Sequence, residues 1–212
     1  AASYYLPAGV VRERIQNIDF YVFLKGLIAD FEERFQALAD KLDELAALLF
    51  SRAACTLSFA GTDDDYRRYI DAGALAGIAS GPAAPALVIP EPVDKAEAFI
   101  VPTDVTYTAV SADRRSLAGS AARFTGAWML ASRILTYSYL WDEVRVKGGA
   151  YGVSFTVSRP GSAAFTSYRD PHIDATVDAF AGAGDWLGSL AGDADEFDGY
   201  VVSTAANFDK PL

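Results

Sequence analysis

Two alternating segments on either side of a Pro-Gly pair constrain the fold of this 212-residue chain more than any other feature. Residues 151–158 and 163–168 alternate apolar and polar side chains, which is typical of half-buried β-strands. Pro160 and Gly161 between them favour a tight turn. We therefore expect an antiparallel hairpin, with Gly148-Gly149 ending the helix that precedes it.

Helical patterns surround this hairpin. Apolar periodicity and capping residues predict three helices, the second of them starting with the cap and first-turn proline Asp170-Pro171. These helices cover residues 117–137 with a continuation to 145, residues 171–190, and a last stretch that begins at Asp193 or Asp195 and runs to 206. Two more strands are predicted at 98–101 and 105–110. This order predicts an α+β fold, with helices packed on one face of an antiparallel sheet.

Residues 1–76 carry a mainly helical pattern. From residue 17 to residue 52, apolar side chains recur every three or four positions, and Gly26 marks the expected division into a short and a long helix. Residues 55–60 alternate like a strand that would complete a sheet formed elsewhere. Asp63, Asp64 and Asp65 then fit the start of another helix, where the helix dipole favours carboxylates, better than a calcium loop, which spaces its ligands two apart.

An uncharged stretch separates the two regions. Residues 72–90 contain no charged side chain over 19 positions, which is close to the length of a membrane span. Repeated glycines and prolines interrupt this stretch, and such punctuation is typical of a linker. We therefore predict an interdomain linker at residues 77–95 and no membrane partner.

Composition and charge exclude several classes of function. The net charge is −10, and no basic patch suited to phosphates is present, so we expect no nucleic-acid partner. One cysteine, Cys55, and one histidine, His172, exclude an internal disulfide, a Cys-rich zinc site and any site with two histidines. Residues 1–7 lack a signal-peptide pattern, so a cytoplasmic location is expected, although in an excised piece that absence says nothing about the compartment.

Short catalytic motifs are missing from the sequence. His172 lies beside Asp170 and Asp174, but no Gly-x-Ser-x-Gly nucleophile elbow occurs, which favours a surface or capping histidine. Gly148-Gly149 precedes a strand, whereas phosphate-binding loops follow one, so cofactor binding at these glycines is disfavoured.

The turn at Gly148-Gly149 brings two candidate donors together. A sharp helix-to-strand turn there would place Arg145, at the helix end, near Tyr151, at the strand start. Both side chains can donate hydrogen bonds to a carbonyl oxygen. From spacing alone, an alternative stays open: Arg145 would neutralise the helix C-terminus and Tyr151 would pack on the sheet.

Four longer motifs follow one another in the order and spacing of a known family. They are Tyr-Leu-Trp-Asp-Glu-Val-Arg-Val-Lys-Gly-Gly-Ala-Tyr-Gly at residues 139–152, Phe-Thr-Ser-Tyr-Arg-Asp-Pro at 165–171, Tyr-Val-Val-Ser-Thr at 200–204 and Asp-Lys-Pro-Leu at 209–212. With these motifs the chain resembles the C-terminal half of presequence-protease-like members of the pitrilysin/insulinase family of zinc metalloproteases. The resemblance is weaker in residues 1–97.

The resemblance implies a large protease of four related α+β domains that form two halves around a closed chamber. The first domain would hold zinc through an inverted His-x-x-Glu-His helix, and the fourth would supply an Arg and a Tyr that bind the substrate backbone near the scissile carbonyl. By the motif match these are Arg145 and Tyr151, with Gly148 and Gly149 as substrate-binding positions between them.

This chain departs from that pattern because it has no inverted zinc motif. The missing initiator Met and the end at Leu212 favour a fragment: the helical end of domain three with one strand (1–76), the linker (77–95) and the first part of domain four (96–212). The full-length enzyme would be a zinc endopeptidase for short unstructured peptides, in which this part partners the N-terminal half and is inactive alone. The alternative is a zinc-less, core-type or peptide-binding module of the same fold.

Overall fold

The computed structural model describes residues 2–82, 85–86, 88–117, 119, 123–190 and 194–206, with backbone only for 194–196. The predicted motif at 209–212 and the predicted helix start at Asp193 lie outside these residues. The chain divides into two compact units, Arg14–Ile89 and Pro90–Leu212 together with Ala1–Glu13. The boundary between Ile89 and Pro90 lies within the predicted linker, and the described residues of that linker form no helix or strand. The assignment of the units to family domains stays a prediction.

The unit Arg14–Ile89 is helical. A first helix, α1 (Pro7–Gln16), ends just inside this unit, and the sequence analysis does not predict it. Three further helices follow: α2 (Ile18–Ala29), α3 (Phe31–Leu49) and α4 (Asp63–Asp71). The break between α2 and α3 falls at Asp30 and not at Gly26. Neither α2 nor α3 has a buried residue, so their apolar faces stay exposed in this chain.

Residues 55–60 form neither a helix nor a strand in this chain and pair with no described strand. Their pairing with a sheet formed elsewhere stays a prediction. The side chain of Phe59 packs on α4. Its ring centroid lies 5.5 Å from the rings of both Tyr66 and Tyr69 in α4. The predicted start of α4 at Asp63 is confirmed, since Thr62 accepts the N–H of Asp65 at 3.2 Å and so caps the helix.

The sheet lies in the second unit and contains three described strands. They are β1 (Thr106–Asp113), β2 (Gly152–Val157) and β3 (Ser162–Asp170) in the order β1-β3-β2, all antiparallel. The hairpin is therefore confirmed, with Phe155 opposite Phe165. The strand predicted at residues 98–101 is wrong: the segment pairs with nothing in the described sheet, and Ile100 is fully exposed.

The helix before the hairpin differs from the prediction in start and type. It begins at Gly126 and not at residue 117, since Gly119 has a φ of +63° that a helix cannot contain. Its first part is α-helical (α5, Gly126–Ile134), and its second part is a π-helix, Leu135–Lys147.

The hairpin leads into the last two helices. They are α6 (Ile173–Ser189) and α7 (Ala194–Ala205). Asp170 does not cap α6 as predicted; its carboxylate accepts the N–H of His172, and the helix begins after that turn. Among the described residues no helix is long and apolar enough to cross a membrane.

The core forms between the sheet and the helices. Phe165 stacks between Phe155 and Phe180 of α6, with ring centroids 4.3 Å and 5.2 Å away, and Leu140 and Val144 of the π-helix are fully buried beside them. Burying each such side chain contributes about 2 kcal/mol to the free energy of unfolding. On the opposite face of the sheet, the hydroxyl groups of Ser154 in β2 and Thr166 in β3 form a hydrogen bond of 2.9 Å. The α+β prediction is confirmed.

Candidate functional site

A two-glycine turn joins the π-helix to β2. A Cβ on Gly148 would lie 2.6 Å from the carbonyl oxygen of Val144, so a side chain there would displace the backbone. Gly149 has a φ of +79°, which L side chains rarely adopt. Its N–H donates to the carbonyl of Arg145 at 3.0 Å, and the N–H of Ala150 donates to that of Val144 at 3.1 Å. The turn is therefore tight.

The turn brings Arg145 and Tyr151 together, as its glycines predict. The guanidinium carbon of Arg145 lies 5.8 Å from the ring centroid of Tyr151 and 4.0 Å from that of Trp141, four residues earlier. In the part of the chain that the structure describes, no carboxylate lies within ion-pair distance of this guanidinium, and its N–H groups donate to no other group. They remain available to a ligand.

Tyr151 lies one residue before β2 and is 65% exposed. Its ring touches that of Tyr168 edge-on, with centroids 5.8 Å apart, while its hydroxyl has no hydrogen-bond partner among the described residues. An exposed phenol of this kind contributes little to packing and can donate to a bound molecule.

An open groove of about 440 Å³ surrounds these side chains. One wall is the exposed face of the π-helix and the other is the polar face of the β2–β3 hairpin, where the hydroxyls of Ser154 and Thr166 meet at 2.9 Å. The lining residues are Thr136, Tyr137, Trp141, Arg145, Tyr151, Gly152, Val153, Ser154, Thr166 and Tyr168. Aromatic rings, hydroxyls and one cation thus face the same space.

Hydroxyl groups fasten the helix to the edge of β2. The N–H of Phe155 donates to Thr136 Oγ1 at 3.0 Å, and its carbonyl accepts from Ser132 Oγ at 2.5 Å. These bonds satisfy backbone groups that an edge strand would otherwise leave unpaired. The helix that carries Arg145 is therefore fixed to the strand that follows Tyr151.

Arg169, which the sequence analysis does not identify, contacts the candidate site through its backbone. Its φ is +50°, and the pairing of β1 with β3 skips it, so it forms a bulge. Its carbonyl accepts the backbone N–H of Tyr151 at 3.3 Å. No sequence signal marks this position, because arginine has no preference for the left-handed region.

The charge of Lys147 is neutralised beside the site. Its ammonium lies 2.7 Å from the carboxylates of both Asp142 and Glu143. The π-helix explains the first contact, because residues five apart are neighbours in it. Hydrogen bonds to Asp142 and then Glu143 raise the pKa of Lys147. Among the described residues that line the groove, Arg145 is therefore the charged side chain.

The other candidate residues are not brought together. His172 is exposed before α6, and only its backbone contacts Asp170. Ser167 is buried in β3, and its hydroxyl meets no partner within the described part of the chain. The structure offers no hydrogen-bonded Ser-His pair among these residues.

The donor set of this chain does not fit a zinc ion. The sequence has one histidine and one cysteine, whereas catalytic zinc takes three protein ligands, usually with histidines among them. Over the residues that the structure covers, no three His, Cys, Asp or Glu side chains cluster.

Comparison with known proteins identifies the family. The family model described as the PreP C-terminal domain matches residues 96–212, which is more than half of the chain. The chain belongs to the PreP C-terminal domain family. The resemblance to presequence proteases read from the motifs is thereby confirmed.

The proteins that are similar to this chain are several times longer than it. It is 28% identical to Protein HypA of Clostridium perfringens over 99% of its own length and 21% of that protein. It is 25% identical to Presequence protease 1, chloroplastic/mitochondrial, of Arabidopsis thaliana, over 96% of the chain and 19% of that protein. Mitochondrial presequence protease of Xenopus tropicalis is 36% identical over 39% of the chain. The chain thus spans about a fifth of the first two relatives.

Proposed function

We propose that this chain is the C-terminal part of a metallopeptidase, in which Arg145 and Tyr151 hold the substrate backbone next to the scissile bond. The observation that carries the proposal is the groove itself. A guanidinium in contact with the rings of Trp141 and Tyr151 keeps its N–H donors available, and the Tyr151 hydroxyl beside it has no partner among the described residues.

The two donors suit the chemistry of peptide hydrolysis. Attack on a peptide carbonyl builds negative charge on its oxygen, and donors already in place stabilise that charge more than they stabilise the substrate. Removing one such donor costs about 3 kcal/mol in the transition state. The planar fork of Arg145 can also grip two acceptors at once, which a lysine cannot do.

The metal and the remaining catalytic groups would come from the rest of the polypeptide. The family resemblance implies zinc in the full-length enzyme, and this chain has no ligand set for it. We therefore expect the isolated chain to be inactive. The exposed apolar faces of α2 and α3 support a large partner, because soluble proteins rarely leave such surfaces uncovered.

The openness of the groove and the net charge support a proposal for the substrate class. An open groove with backbone-binding donors suits short, unstructured peptides better than folded proteins. The net charge of −10 would draw in basic peptides if part of it lines the chamber. Turnover of cationic peptides by the full-length enzyme should then fall as salt rises, and salt-insensitive turnover would contradict this part of the proposal.

Substitution of the two donors in the full-length protein tests the proposal. Arg145→Lys and Tyr151→Phe should lower kcat while the melting temperature stays unchanged. A full-length protein that binds peptides and cleaves none would instead support the zinc-less binding module.

A further inference from the structure

We propose that Trp141 is a positioning residue that holds the Arg145 guanidinium in its working orientation through a cation–π contact. The inference rests on the proposed function of Arg145 and adds a residue to it. Trp141 acts through Arg145 and has no reacting atom of its own.

The contact between the two side chains is close. The distance of 4.0 Å from the guanidinium carbon to the Trp141 ring centroid is the shortest cation–ring distance among the described residues. Tryptophan is also the ring that attracts a cation most strongly. The ring of Tyr151 lies on the same guanidinium at 5.8 Å, so the cation is in contact with two aromatic groups.

Stacking holds an arginine without using its hydrogen-bond donors. A carboxylate partner would occupy the N–H groups of Arg145, whereas an aromatic face attracts the cation and leaves all five N–H bonds for a carbonyl oxygen. A free arginine side chain has many rotamers, and ordering them as the negative charge develops on the carbonyl oxygen would raise the barrier from the bound substrate to the transition state. Trp141 supplies this order before the substrate arrives.

Trp141 is itself held by a row of side chains along the helix. The ring of Tyr137 stacks on it at 6.5 Å, and the guanidinium of Arg133 lies 4.4 Å from the ring of Tyr137. These residues repeat every four positions and so share one face of the helix. Trp141 is 39% exposed and is not part of the core cluster, so a core-packing role does not explain a large ring here.

Four variants of the full-length enzyme test this assignment. Trp141→Leu removes the π face and keeps an apolar side chain, and Trp141→Phe restores a π face. Arg145→Met, which removes the cation, is made alone and combined with Trp141→Leu. For each variant kcat, KM and melting temperature are measured on a peptide substrate. Trp186→Leu is the matched control, because Trp186 stacks on Tyr139 at 5.1 Å, packs on the core and does not line the groove.

We expect Trp141→Leu to lower kcat about tenfold with KM and melting temperature nearly unchanged, and Trp141→Phe to stay within about threefold of wild type. The double variant should be no slower than Arg145→Met alone, since Trp141 works only through the Arg145 cation. Trp186→Leu should show the opposite pattern, with a lower melting temperature and an unchanged kcat of the folded enzyme.

Each contrary result has a distinct meaning. If Trp141→Leu raises KM and leaves kcat unchanged, Trp141 contacts the substrate directly and the positioning role is overturned. Full additivity of the two substitutions, or loss of activity in Trp141→Phe equal to that in Trp141→Leu, overturns it as well. If Arg145→Met alone leaves kcat unchanged, the proposed function fails, and the role of Trp141 fails with it.

Discussion

The carbonyl of Arg169 accepts the backbone N–H of Tyr151, and Arg169 is the one non-glycine residue with a positive φ in the described part of the chain. The bulge in β3 thus fixes the position of the Tyr151 backbone beside the groove. A non-glycine residue in the left-handed region costs about 1 kcal/mol or more, and a β-branched residue costs most.

We therefore predict opposite effects for two substitutions at this position. Arg169→Val should lower the melting temperature of the full-length protein and reduce peptidase activity, because the bulge must distort to accept it. Arg169→Gly should leave the melting temperature unchanged or raise it slightly. Thermal melts of both variants decide the matter, and equal destabilisation by Gly and Val would contradict a strained bulge.

The close packing of the Gly148-Gly149 turn leads to a second prediction, on stability. Gly148→Ala should destabilise strongly, because its Cβ would lie 2.6 Å from the Val144 carbonyl oxygen, and Gly149→Ala should cost about 1 kcal/mol through its φ of +79°. Gly184→Ala in α6 is the control: nothing lies within 4 Å of the added Cβ, so it should stabilise by about 0.5–1 kcal/mol. Denaturant melts that rank the three variants otherwise would contradict the tight turn.

Local signals explain what the sequence predicts well. The hairpin follows from period-two alternation and Pro160-Gly161, which act over a few residues. The proximity of Arg145 and Tyr151 follows from Gly148-Gly149, since two glycines permit a sharp turn in which the flanking residues come close together.

Other features depend on tertiary contacts that no local pattern reports. The alternation at residues 55–60 predicts a strand, whereas in this chain the segment is unpaired among the described residues and Phe59 packs on Tyr66 and Tyr69. The bulge at Arg169 is set by the pairing of β3 with β1, far away in sequence. Apolar spacing does not distinguish the π-helix from an α-helix over so few turns, so the contact of Lys147 with Asp142, five residues earlier, is visible only in the structure.

The charge cluster on the π-helix predicts a pH dependence. Hydrogen bonds to Asp142 and Glu143 raise the pKa of Lys147 in the folded protein above its ordinary value of about 10.4. The protonated form is thus favoured by folding, and its contribution is complete below about pH 10.4 and is lost as the pH rises through the folded pKa.

Lys147→Met should therefore lower the melting temperature by a small, constant amount from pH 7 to pH 9, and the difference from wild type should shrink above about pH 10.4. High salt should also reduce this difference in melting temperature, because the ion pairs of Lys147 with Asp142 and Glu143 are exposed. Lys25→Met, at an exposed lysine without an ion pair among the described residues, should show no such trend. A difference that grows with pH would contradict the sign.

The segment between the two units should be the first site of proteolysis. The described residues within 77–95 form no helix or strand, and Val88, Ile89 and Val93 are exposed there. Brief digestion followed by mass spectrometry should locate the first cuts in 77–95. First cuts in residues 148–168 would show instead that the turn and hairpin are less ordered than the structure describes.

The role of Tyr151 is the central claim, and one substitution isolates it. Its hydroxyl has no partner among the described residues, so Tyr151→Phe removes a donor and leaves the ring and its contact with Tyr168 in place. The decisive measurement is kcat of the full-length Tyr151→Phe enzyme on a peptide substrate, with its melting temperature beside it. We predict a fall in kcat of about 10²-fold at an unchanged melting temperature. An unchanged kcat in the folded variant would contradict the proposed function.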